Sequence, residues 1–212
     1  MLDKAARITE TRPAAPVPRP EQWLYWTGLE YHYHGGTGVK RFEIWTRFDG
    51  KQDATMSNGK LVVSREWADR PITDGSPVGA YRILAALPTD PQAMLTTLYR
   101  KVGSEWRGEG VIGDRRAFEN IKQLLWNSPV SPPPRVQAAM YRALARIPGV
   151  TVRTSVEYAP GRTAIGIYAP PLPNHNASVI LLDPATYRMI GMLGSLSLTR
   201  SSAILVARPG QR

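Results

Sequence analysis

Cysteine does not occur in this chain of 212 residues, and its absence removes disulfides, zinc–thiolate sites and thiol nucleophiles together. The redox compartment stays open, because a chain of this length buries roughly 70% of its unfolded surface and folds without a covalent staple. Histidine is scarce as well: there are 3, so a serine or threonine nucleophile has few bases to draw on. No G-x-S-x-G elbow, no G-x-x-x-x-G-K-[ST] loop and no G-x-G-x-x-G between strand and helix occurs, which argues against an esterase elbow and against nucleotide chemistry. No apolar run approaches the roughly 18 residues of a membrane-spanning helix, and no n-region, h-region and cleavage site mark a secretory signal.

Hydrophobic residues at 42% and charged residues at 21% exclude wholesale disorder and favour one globular domain. The N-terminus is the exception. Thr11 to Pro20 (TRPAAPVPRP) holds four prolines and Val17 as its one large apolar residue, so it reads as a semi-extended linker. Leu2 to Glu10 ahead of it forms at most a short, marginal helix on its own. Residues 1–20 are therefore expected to make few buried contacts, and 21–212 to form the domain.

The net charge is +10, with 27 Lys and Arg against 17 Asp and Glu. Glu21 to Tyr99 is close to neutral, so the excess lies in the later parts and favours an anionic partner: nucleic acid, a phospholipid surface or a cell-wall polymer. An arginine-rich solvated surface from a GC-rich genome accounts for the same numbers.

From Trp23 to Tyr33 the odd positions Trp23, Tyr25, Thr27, Leu29, Tyr31 and Tyr33 form an aromatic-rich face at period two, the pattern of a strand. Gly35, Gly36 and Gly38 supply a turn, and Phe42, Ile44 and Phe48 continue the alternation on a return strand. Asp49-Gly50 and Asn58-Gly59 are type I′ hairpin signals and complete a four-stranded meander with strands near Gln52–Met56 and Lys60–Ser64. Arg65 to Ala80 has loop composition.

Three amphipathic helices are expected across 89–148. The first is capped by Thr89 with Gln92 and carries Met94, Leu95, Leu98 and Val102; the second starts at Asp114 and runs to Ser128-Pro129. The third starts at Ser131-Pro132, carries Val136, Met140 and Leu144, and stops at Pro148-Gly149. They need a sheet to lie on, and strands near Val150–Tyr158, Thr163–Tyr168, Val179–Leu182, Tyr187–Leu193 and Ala203–Ala207 supply it. The class is α+β: a curved antiparallel sheet of two meander blocks with a central three-helix block packed on one face.

His32 and His34 set two imidazoles on one strand face, a geometry that can offer two metal ligands, with Glu30 as the one carboxylate beside them. The spacing to Glu43 does not suit a barrel metal motif and His175 stands alone in a loop, so the reading is exposed strand-end histidines and no metal. Arg135, Arg142 and Arg146 recur at i, i+7 and i+11 on the third helix and form a basic ridge that could meet phosphates of lipid or nucleic acid. No RNP-type aromatic motif, zinc finger or helix-turn-helix accompanies them, which disfavours nucleic acid. Paired carboxylates for glycoside hydrolysis need only be neighbours in space.

The segments WLYWTGLEYHYH, FEIWTRFDGK, LPTDPQAMLTTL, SPVSPPPRVQAAMYRALARIPGV and VILLDPATYRMIG, in that order, resemble an uncharacterised actinobacterial family of membrane-tethered extracytoplasmic domains. Its genes commonly lie beside those for extracytoplasmic-function sigma factors. The resemblance spans Trp23 to Leu193, and IPGV and LDPATY are its most specific parts. It implies an N-terminal membrane helix upstream, with residues 1–20 as a juxtamembrane tether. A looser similarity is to the lipoprotein-carrier half-barrel and the periplasmic regulators that share it. That analogy implies an apolar cavity between sheet and helices, lined by Trp23, Tyr25, Tyr31, Phe42 and Ile44 with Leu95 and Leu98, although core packing explains the same residues.

The functional expectation is a non-enzymatic extracytoplasmic binding or sensor domain without a cofactor. It would take an apolar ligand or an envelope protein, or meet an anionic membrane surface, and could influence a sigma-factor pathway. A carboxylate-dependent hydrolase and a nucleic-acid binder are the alternatives.

Overall fold

The computed structural model describes residues 1–31, 39–64, 76–100, 110–127, 130–194, 197–201 and 203–212. The first block is the expected meander: β1 (Trp23–Tyr31), β2 (Val39–Arg47), β3 (Asp53–Ser57) and β4 (Lys60–Ser64). Asn58 and Gly59 both adopt positive φ, 49° and 74°, as a type I′ turn requires. The Asp49-Gly50 turn differs. Gly50 alone has positive φ, and Asp49 is buried, accepting from the Lys51 amide at 3.0 Å and from Arg47 at 2.6 Å.

The second block comprises β5 (Thr151–Ala159), β6 (Arg162–Tyr168), β7 (Val179–Leu182), β8 (Met189–Leu193), β9 (Ser197–Arg200) and β10 (Ile204–Val206). The two blocks share one open, antiparallel, curved sheet in the order β4-β3-β2-β1-β9-β8-β7-β6-β5. The join is β1. Its outer half pairs with β9, from Gly28↔Arg200 to Tyr31↔Ser197, and its inner half with β10, from Trp23↔Val206 to Tyr25↔Ile204. The seam is tight at Gly28, where an added Cβ would lie 2.1 Å from the Phe42 ring and 2.5 Å from the Thr199 carbonyl oxygen.

Five helices occur among the described residues: α1 (Leu2–Glu10) and α2 (Pro77–Ala85) outside the expected helical block, and within it the three expected, α3 (Pro91–Arg100), α4 (Val111–Asn127) and α5 (Pro134–Leu144). α2 begins inside the stretch expected as loop. Ser76 caps it, its Oγ accepting from the Gly79 amide at 3.1 Å, with Pro77 at the first helical position. α3 is capped by Asp90 instead of Thr89: its Oδ1 accepts from the amides of Gln92 and Ala93 at 3.0 and 2.8 Å. The expected positions of Val102 and of Ser128-Pro129 lie outside the described residues.

The helices cover one face of the sheet. Met94 and Leu98 of α3, Phe118 and Ile121 of α4, and Met140 and Leu144 of α5 meet Ile165 and Ile167 of β6 and Ile180 and Leu182 of β7 in the main core. α5 runs through its middle and is buried nearly all round.

The expectation that residues 1–20 make few buried contacts is corrected here. α1 lies along α5 and buries Leu2, Ala5, Ala6 and Thr9. Ala5 and Ala6 face an α5 rich in small residues, Ala138, Ala139 and Ala143, so the helices approach closely and a stub too short to persist alone is held by tertiary contact. Beyond α1, Pro18 is buried and the Pro20 carbonyl accepts from the Asp49 amide at 2.8 Å. No helix among the described residues is long and apolar enough to cross a membrane.

Tyr141 of α5 is fully buried, its hydroxyl donating to the Tyr187 carbonyl at 2.7 Å and accepting from Gln137 at 2.9 Å. Burial pushes the phenol up to about 12. Between pH ~10, where an unfolded tyrosine ionises, and pH ~12, the folded chain keeps a proton that the unfolded chain has lost, so this group makes stability fall as pH rises. Arg200, pulled down to about 10 by burial, works in the opposite sense, so a mutant comparison isolates the tyrosine. The loss of melting temperature between pH 9 and pH 11 is expected to be smaller in Tyr141→Phe than in the parent chain. Equal losses in thermal melts would show that the phenol is not what couples folding to alkali.

Candidate functional site

Between the β1–β9–β10 junction and the ends of α4 and α5 lies a cavity of about 350 Å³. Leu24 of β1, Leu125 of α4, Val130 and Pro132 of the α4–α5 connection, Met189 of β8 and Ala203 give it an apolar lining. One wall is the proline segment itself, through Arg12, Pro13, Ala15, Pro16 and Pro18. Those residues, read from the sequence as a tether, thus line one side of an open cavity. Asp and Glu are absent from the described lining, whereas Arg12, Arg188 and Arg200 all reach it.

Arg200 forms the back wall. Its Nη1 and Nη2 donate to the carbonyls of Trp126 and Leu125 at 2.5 and 2.8 Å, satisfying the carboxyl end of α4, and its guanidinium lies 4.8 Å from the Trp126 ring centroid. Trp26 packs edge-on to both Trp126 and Phe42 and so joins β1 and β2 to this wall. Arg12 is half-buried at the rim, its pKa lowered by burial and then by the like charge of Arg188.

The residues anticipated as the cavity lining do not come together. Register pairs Trp23 with Arg47, Tyr25 with Trp45, Trp26 with Ile44 and Gly28 with Phe42, so Trp23 and Tyr25 occupy one face and Phe42 and Ile44 the other. Trp23 and Tyr25 point away from the helices into a separate cluster with Trp45 and Ala54. That cluster is covered by the C-terminus: Trp45 Nε1 donates to the Gln211 carbonyl at 2.6 Å, and Arg212 holds Glu43 at 2.8 and 3.0 Å. Phe42 and Ile44 share the face of Leu24 but are not among the lining residues. The Tyr31 side chain lies outside the described residues. Leu98 is wholly buried in the main core, and Leu95 borders an open depression with Gln92, Thr96, Tyr99 and Arg100.

The basic ridge is partly consumed by α1. Arg142 holds Glu10 through two hydrogen bonds at 2.5 and 2.6 Å, a contact that lowers the Glu10 pKa, while Arg146 donates to Gln92 at 3.3 Å and Arg135 is exposed. His32 and His34 lie outside the described residues, and His175 is exposed with Nδ1 2.9 Å from the Pro173 carbonyl. Among the described residues no three His, Asp or Glu side chains are placed to share a metal ion.

Sequence reasoning missed one buried polar cluster. Lys122 of α4 donates to Ser178 Oγ at 2.6 Å and also pairs with Glu119, which Arg115 holds at 2.9 Å. Burial alone would raise Glu119, but hydrogen bonds from Lys122 and Ser178 and the charges of Lys122 and Arg115 outweigh it and leave the carboxylate lowered. A lysine engaged by a carboxylate offers donors and no lone pair, so it is no base for Ser178.

No family model and no curated protein matches the chain. Among solved structures it is similar at 12% identity and a TM-score of 0.30 to the complex of MucA and MucB from Pseudomonas aeruginosa, with 99% of this chain and 57% of that chain covered. It is also similar, at 12% identity and a TM-score of 0.13, to the dehydratase domain from the CurF module of curacin polyketide synthase, with 90% and 78% covered. Likenesses of this size assign neither fold nor function.

Proposed function

We propose that this chain is a non-enzymatic binding or sensor module that takes an apolar or amphipathic small molecule into the cavity between its sheet and helices. The observation that carries the reading is the cavity: about 350 Å³, lined by apolar residues of six separate segments, with arginine as its charged component. Its described lining lacks the carboxylate pair that the hydrolase alternative needs. The nucleic-acid alternative loses support because Arg142 is committed to Glu10. An extracytoplasmic setting, a membrane anchor, an envelope partner and an influence on a sigma-factor pathway enter this proposal from the sequence resemblance alone. A protease-accessibility assay that finds the chain shielded inside intact cells would remove them.

The cavity is tested with dodecanoate and its uncharged glycerol monoester, reading bound ligand by native mass spectrometry. At least one is expected to bind at one per chain, and binding is expected to be lost in Ala203→Trp, whose ring fills the space. Absence of binding by both, or full binding by the filled variant, would overturn the reading.

A further inference from the structure

Arg12 and Arg188 stand at the rim of the same cavity, one from the proline segment and one from the residue before β8. Two like charges are brought together there against their mutual repulsion. Among the described residues neither makes an ion pair with a carboxylate. Asp183 is near enough for its charge to act on Arg12 but forms no ion pair with it among the described residues; its Oδ1 accepts from the Thr186 amide at 2.6 Å, the Thr186 hydroxyl at 2.7 Å and the Ala185 amide at 3.1 Å. Arg200 adds a third positive charge at the back, fixed in place by the α4 carbonyls. A cavity with low-dielectric walls and one sign of charge concentrates the opposite sign at its mouth.

From this arrangement we infer that the ligand is a single-chain anionic amphiphile, its carboxylate or phosphate held between Arg12 and Arg188 and its chain lying along Leu24, Leu125, Val130 and Met189. The inference rests on the binding-module reading and deepens it. The paired N–H donors of a guanidinium fork can hold two oxygens of either headgroup at once. At about 350 Å³ the cavity lies near the bottom of the ~300–1,000 Å³ range of small-molecule sites, which suits one chain and is too small for a two-chain lipid. Because Arg12 lies two residues beyond the end of α1, docking of α1 on α5 helps to place one half of the headgroup site.

The full chain is titrated calorimetrically with dodecanoate, dodecyl phosphate and the uncharged glycerol monoester. The anions are expected to bind about tenfold or more tightly than the ester, the gain of charge-assisted hydrogen bonds, with the preference shrinking as salt rises. Arg12→Gln and Arg188→Gln are each expected to reduce the preference about tenfold, and Arg12→Lys and Arg188→Lys to restore part of it. A preference for dodecanoate over dodecyl phosphate would assign a carboxylate headgroup, and the reverse a phosphate. Equal affinity for anion and ester would overturn the inference while leaving the cavity a binding site. An anion preference that survives both Gln substitutions in chains with unchanged melting temperature would also overturn it.

Discussion

A chain lacking residues 1–10 is expected to unfold about 10 °C or more below the full chain. The deletion strips Leu2, Ala5, Ala6 and Thr9 from the surface of α5 and removes the Glu10 partner of Arg142. Truncating one buried leucine already costs about 2–5 kcal/mol, and each kcal/mol moves the midpoint of a domain of this size by roughly 2–4 °C. The exposed ion pair adds little, so the loss should persist at high salt. Ala6→Asp supplies a second measurement, since it forces an unpaired carboxylate against α5 or undocks the helix. Thermal melts with the same midpoint for the truncated and full chains would show that residues 1–10 are a solvated tether after all.

The second large effect is expected on the opposite face. Trp45 is wholly buried, stacked on Tyr25 at a centroid distance of 4.9 Å, and its indole N–H donates to the Gln211 carbonyl. Trp45→Ala should cost about 3–5 kcal/mol, the range for emptying a buried aromatic site. Trp45→Phe should lose less, because it keeps most of the ring and gives up mainly the hydrogen bond. Removal of residues 208–212 should destabilise the parent and cost less in Trp45→Ala, since the two changes share one contact and are not additive. Denaturant titrations in which the two losses simply add would show that the C-terminus does not depend on Trp45.

The strand pair around Asn58-Gly59 and the amphipathic stripes of α3, α4 and α5 could be read along the chain, because each rests on local chemistry: positive φ or helical spacing. α2 carried a local signal too, Ser76 before Pro77, but at nine residues it shows no long stripe. The α+β class followed from the order of these elements. The identity of the inward face of β1 did not. Trp23 and Tyr25 alternate with Leu24 and Trp26, so both faces are apolar at its start and period two cannot choose between them. Two coverings settle it: the helices lie over Leu24, and the C-terminal residues close over Trp45. The cavity is likewise a product of tertiary structure. Arg12, Arg188 and Arg200 are far apart in sequence and belong to no motif, and they meet because β1 pairs with both β9 and β10 while α5 draws α1 and the proline segment across the opening. Composition marked that segment as carrying too little apolar surface to order itself. What holds it lies outside it: α1 ahead of it docks on the small residues of α5, and the Asp49 amide bonds the Pro20 carbonyl behind it, neither of which the segment's own residues announce.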